Sequence, residues 1–173
     1  MSLVECVPAA LTQLKGLEAT PPKVFVWTEH GDRLEIDCVA VDALSCAMRE
    51  LRFFAGALRD ASLETLQEWS QALCQRISYL LEHIESVEID RESSTILVRS
   101  SPPDRNAGAV SYYEIIIQNG GSLRMCRYIG GAADAERQRT DLHCTHETFR
   151  KLVRDMVHSV PNLASPSATP RSQ

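Results

Sequence analysis

Residues 111–129 read SYYEIIIQNGGSLRMCRYI. Two segments of strand-forming residues flank Asn119-Gly120-Gly121, which is the composition of a β-hairpin. The hairpin fixes its own register. A three-residue turn pairs Ile117 with Leu123, Ile115 with Met125 and Tyr113 with Arg127. A two-residue turn would place Glu114 or Gln118 opposite apolar partners. A slip of one residue turns every side chain to the other face, so the odd turn is expected, with Gly121 in the left-handed conformation. One face of the hairpin is then Tyr113, Ile115, Ile117, Leu123, Met125 and Ile129, apolar enough to be core. The other is Tyr112, Glu114, Ile116, Arg124, Cys126 and Tyr128.

Working outward, residues 86–90 and 95–100 form a second strand pair about the polar turn 91–94, and 138–144 has the composition of one more strand. Upstream, Lys23–Glu29 and Arg33–Val41 form a hairpin about His30-Gly31-Asp32. Residues 44–58 fit a helix through Leu44, Ala47, Met48, Leu51, Phe54 and Leu58, which the periodicity favours, and also fit a strand through Ala47, Leu51, Phe53 and Ala55. Val4, Val7, Leu11 and Leu14 mark a first helix whose regular part is expected to start at Pro8 and to end at Pro21-Pro22. Leu63, Leu66, Trp69, Leu73, Ile77, Leu80 and Ile84 recur at three or four, and Ser62 is a good N-cap. A long central helix over about 62–83 is therefore expected. Thr145 caps a last helix over about 145–160 carrying Phe149, Leu152, Val153 and Met156. The fold class is α+β: a mainly antiparallel sheet of about 6–7 strands with these two helices on one face. Residues 1–160 are expected to be a single domain, and the Pro/Ser/Thr-rich 161–173 a flexible tail.

At 173 residues, 44% apolar and 24% charged, the chain can bury an ordinary core without a metal or a disulfide. Six cysteines occur with no CxxC pair. They are expected to be reduced, in a cytoplasmic compartment. Neither a secretory leader nor an apolar run long enough to span a bilayer is expected, so no membrane role is. Net charge is −5; residues 1–94 hold 16 acids against 8 bases, and 95–160 hold 7 against 9. That mild imbalance argues against a nucleic-acid partner. The chain has neither GxGxxG nor a Walker pattern, and no cofactor is expected.

Three groups of residues are candidates for function. Asp141-Leu-His143-Cys144-Thr-His146-Glu147 carries metal-ligand and nucleophile types at a strand-to-helix junction. His143, Cys144 and His146 would be the ligands, or the catalytic residues, of a metal-binding or cysteine/histidine-dependent enzyme. Arg99, Ser100 and Ser101, a cation beside two hydroxyls, could hold an anion. The hairpin face of Tyr112, Glu114, Ile116, Arg124, Cys126 and Tyr128 has the tyrosine–arginine composition of interaction surfaces. The leading expectation is a non-catalytic protein-interaction domain, an adaptor or a chaperone-like homodimer, acting through this face on a protein partner or a second copy. The order helix, strands, helix, strands, helix also resembles that of small acidic secretion chaperones.

Overall fold

The computed structural model describes residues 2–106, 108–131 and 136–163. The chain begins with helix α1 (Leu3–Gln13), started by a capping box: the Glu5 amide donates to Ser2 Oγ and the Ser2 amide to the Glu5 carboxylate. This cap, not Pro8, sets the helix start, and Leu3, Val7 and Leu11 become its buried stripe. Strands β1 (Leu17–Glu29) and β2 (Asp32–Val41) follow. Their turn is His30-Gly31, both with positive φ (47° and 92°), as the twist of a two-residue hairpin requires. β1 starts before Pro21-Pro22 rather than after it. Leu17 and Glu18 pair with Val41 and Ala40, the register shifts across the prolines, and pairing resumes at Lys23. A bulge on an edge strand tolerates residues without an N–H.

The ambiguous 44–58 segment is β3 (Ser45–Phe54) plus one 3-10 turn, Gly56–Leu58. Leu51 pairs with Ile36 on one side and Met125 on the other, so the strand reading wins through two neighbours distant in sequence.

Helix α2 spans Leu63–Arg76 and is capped by Ser62, whose Oγ accepts from the Thr65 amide. It is 14 residues long, not the 22 expected. At Ile77 ψ swings to 79°, and by Ile84 the chain is strand β4 (Ile84–Asp90). Ile77 and Ile84 are buried as the helical spacing implied. Ile84 reaches the core by pairing with Ser100 instead of by continuing the helix.

The remaining elements are β5 (Thr95–Ser100), β6 (Asp104–Asn106), β7 (Ala109–Gln118), β8 (Ser122–Gly131), β9 (Gln138–Thr140), β10 (Leu142–Thr145) and α3 (His146–Ser159). β7 and β8 pair in the expected register, Ile117 with Leu123 and Tyr113 with Arg127, and Gly121 has φ 74°. The fold is α+β with a ten-stranded antiparallel sheet, more strands than expected, in the order β1-β2-β3-β8-β7-β5-β4.

The three strands outside that order explain the larger count. β3 and β8 pair only over 51–54 and 122–125. Beyond this they part, and 138–145 lines the fork: β9 runs down the arm of β8, and β10 runs out along the arm of β3. Asp141 is at the vertex, held by Arg49 Nε at 2.6 Å.

One contiguous apolar cluster joins the stripes of all three helices to one face of the sheet: Ile36, Leu51, Phe53, Val98, Ile115 and Met125 among others. Trp69 is buried against Phe53 at 6.3 Å between ring centres, and its Nε1 donates to Ser159 Oγ, tying α2 to α3. Arg127, which the register puts on the core side, forms a bidentate pair with Glu82 (2.9 and 2.7 Å) and lies 4.2 Å over the Tyr113 ring. Residues 164–173, most of the expected tail, lie outside the described residues.

Candidate functional site on the open face of the sheet

Strand alternation sends every second residue away from the helices. On β2 and β3 these are Arg33, Glu35, Asp37, Glu50 and Arg52, a run of charge at strand period. Arg52 is the hub. Its Nε reaches Glu35 at 2.8 Å, Nη2 reaches Asp37 at 2.8 Å, and Nη1 reaches Glu50 at 2.7 Å. Arg33 also pairs with Glu35. Glu50 is buried, and it takes a second guanidinium from Arg139 at 2.8 Å and the Cys126 thiol at 3.5 Å.

The network continues across the fork. Arg137 lies 4.1 Å over the Tyr128 ring, which stacks on Tyr112 with 5.8 Å between centres. Arg137 Nη1 then reaches Glu114 at 2.7 Å, and Arg99 Nε reaches the same carboxylate oxygen at 3.0 Å. Glu114, only 3% exposed, is therefore clamped by two arginines. Burial opposes ionisation of Glu35 and Glu50, but Arg52, helped by Arg33 and Arg139 respectively, outweighs it and holds both below the usual carboxylate range. Burial pushes the Cys126 thiol up to about 11.

At the stem of the fork the pattern breaks. Arg52 and Arg124 face each other across the β3–β8 ladder, two like charges where an opposite pair would be favoured. Arg124 and Arg59 are exposed, and neither has a carboxylate partner among the described residues. Arg59 rests 5.8 Å over the Phe54 ring. With Arg33, Arg52, Phe54 and one carboxylate, Glu35, they border a cleft of about 530 Å³.

The hairpin face thus has the expected register, but it is not bare. Glu114, Cys126 and Tyr128 are buried by the chain itself, Tyr112 and Ile116 are half-buried, and Arg124 alone of the six is fully open. The arginines of 137–139 and the acids of β2 and β3 were not singled out in the sequence. The i,i+2 charges Arg33/Glu35/Asp37 and Glu50/Arg52 carried a signal, readable once 45–54 is known to be a strand.

The structure does not bring Arg99, Ser100 and Ser101 together as an anion site. Arg99 serves Glu114 on the open face, whereas Ser100 is buried on the core side and its Oγ accepts from the Tyr113 amide at 2.7 Å. The Ser101 amide donates to the His83 carbonyl. His143, Cys144 and His146 do not converge either. His143 is exposed, Cys144 packs against the core and Cys46, and His146 Nε2 lies 3.1 Å from the Ser45 carbonyl. Among the described residues no group of three or more His, Cys, Asp or Glu is arranged to hold a metal ion. No described helix is long and apolar enough to cross a membrane.

No family model, curated protein or solved structure matches the chain.

Proposed function

We propose that this chain is a non-catalytic protein-interaction domain of adaptor or chaperone type, acting in a reducing, cytoplasmic compartment, whose open sheet face takes an acidic stretch of a partner protein. The observation that carries this is the arginine cleft: Arg124 and Arg59, neither with a carboxylate partner among the described residues, beside an Arg52 whose three nitrogens each already meet a carboxylate. Guanidinium forks around an aromatic floor are the composition of binding hot spots. A carboxylate arriving in the cleft would form charge-assisted bonds to Arg124 and Arg59 and offset the like charges of Arg124 and Arg52 across the ladder. The neighbouring Glu50 and Glu114 networks hold the surroundings in place, so little ordering accompanies binding. The order of the elements, like that of small acidic secretion chaperones, agrees with this reading as a likeness of topology alone.

The test uses a fluorescent hexaglutamate peptide and anisotropy. The unmodified protein should bind it, more weakly as salt is raised. Arg59→Glu/Arg124→Glu should weaken binding at least about tenfold, the loss of roughly 1.4 kcal/mol. Arg91→Glu/Arg105→Glu, the same charge change at exposed sites elsewhere, should not. Equal binding by both double variants would sink the cleft as the site. Light scattering of the same proteins identifies the occupant: a dimer that Arg59→Glu/Arg124→Glu alone dissociates would make it a second copy of this chain.

A further inference from the structure

Cys46 on β3 and Cys144 on β10 are directly opposed in the antiparallel ladder, with their sulfurs 3.7 Å apart. The His146 amide donates to the Leu44 carbonyl in the same register. Hydrogen-bonded and open pairs alternate along such a ladder, so Cys144 and Cys46, two steps on, are again a hydrogen-bonded pair with Cα atoms about 5.5 Å apart. That separation is near the middle of the range disulfides occupy, roughly 4.4–6.8 Å. Closing the sulfurs to a bond length of about 2.05 Å takes side-chain rotation without strand movement.

The two thiols are unequal. Cys46 is 4% exposed, while Cys144 is only half-buried. Cys144 also directly precedes Thr145, the N-cap of α3, where a helix terminus favours negative charge. The hydrogen bond between the two sulfurs pulls the Cys144 thiol down and, with burial adding to it, pushes Cys46 up.

We propose that Cys46 and Cys144 form a reversible thiol–disulfide pair, in which Cys144 is oxidised by a peroxide and Cys46 resolves the product. The Cys144 thiolate attacks one oxygen of hydrogen peroxide. The O–O bond breaks, leaving a sulfenic acid and a hydroxide, which becomes water with the proton Cys144 gave up. The Cys46 sulfur then attacks the sulfenic sulfur. The S–O bond breaks, and the departing hydroxide takes the Cys46 proton as a second water. Two thiols and one peroxide become one disulfide and two waters. The new bond staples β10 to β3 and so fixes one arm of the fork whose vertex, Asp141, borders the open face.

The experiment starts from reduced protein, in which all six cysteines should titrate as thiols under denaturing conditions. After one equivalent of hydrogen peroxide at neutral pH four should remain, and non-reducing peptide mapping should join the peptide of Cys46 to that of Cys144. Dithiothreitol should restore six. Cys46→Ser should stop the bond and leave a Cys144 sulfenic acid that dimedone traps. Cys74→Ser should still form the same link. Six thiols after peroxide, or a link between other cysteines, would overturn the proposal. The map of the unmodified protein decides this even if a variant fails to fold.

Discussion

Replacing Arg52 with methionine keeps most of the unbranched apolar stem and removes a cation that three carboxylates share. The Glu50 bond matters most, because that carboxylate is buried at 6% exposure. A hydrogen bond to a charged group contributes about 1.5–3 kcal/mol. The Glu35 and Asp37 bonds belong to an arginine side chain that is 34% exposed, so screening holds each to about 0.5–1 kcal/mol. Arg33 and Arg139 stay behind for Glu35 and Glu50, which limits the damage. The variant should therefore lose roughly 2–4 kcal/mol at pH 7, near the lower part of the range for breaking a buried pair, or about 5–15 °C in Tm at this size. Acid should shrink the difference. Glu35 and Glu50 have folded-state pKa values held below the ordinary 4.5. Their contribution is complete above that value and is lost as pH falls through the lowered ones. Urea titrations of both proteins at pH 7 and pH 3 measure this, and the gap at pH 3 should be less than about half that at pH 7. A gap under about 0.5 kcal/mol at pH 7, or one that does not change with pH, would show that the open-face network does not stabilise the fold.

Two further outcomes test the core. Leu73→Ala should cost about 2–5 kcal/mol in urea, since Leu73 is fully buried between α2 and the sheet; a loss below about 1 kcal/mol would refute that packing. Gly121→Ala should cost about 2–4 kcal/mol, because an added Cβ would sit 2.5 Å from the Ala55 carbonyl oxygen at φ 74°, while Gly120→Ala, with open space around it, should show only the left-handed backbone cost of about 1–2 kcal/mol.

The late hairpin was legible in the sequence because its information is local. Gly120-Gly121 and the alternation of 113–117 and 123–125 admit one register, and a slip would bury Glu114 and Gln118 against the core. Helix α3 was equally legible, since Thr145 and the Phe149–Met156 stripe state both its start and its buried face. Where local signals agreed with two answers, tertiary pairing chose. Leu80 and Ile84 continue the period of α2, yet the chain leaves the helix at Ile77 because Ile84 is buried as the partner of Ser100 on β5. Residues 45–54 are a strand because Ile36 and Met125 hold Leu51 from both sides. The open face lay still further beyond the sequence. Its arginines and carboxylates come from β2, β3, β5, β7, β8 and the 137–139 segment, and the fork between β3 and β8 lets Arg139 reach Glu50 and Arg137 reach Glu114. Composition set which residues could be charged or buried; which charge meets which depends on strand order, a non-local choice made by the buried apolar area it secures.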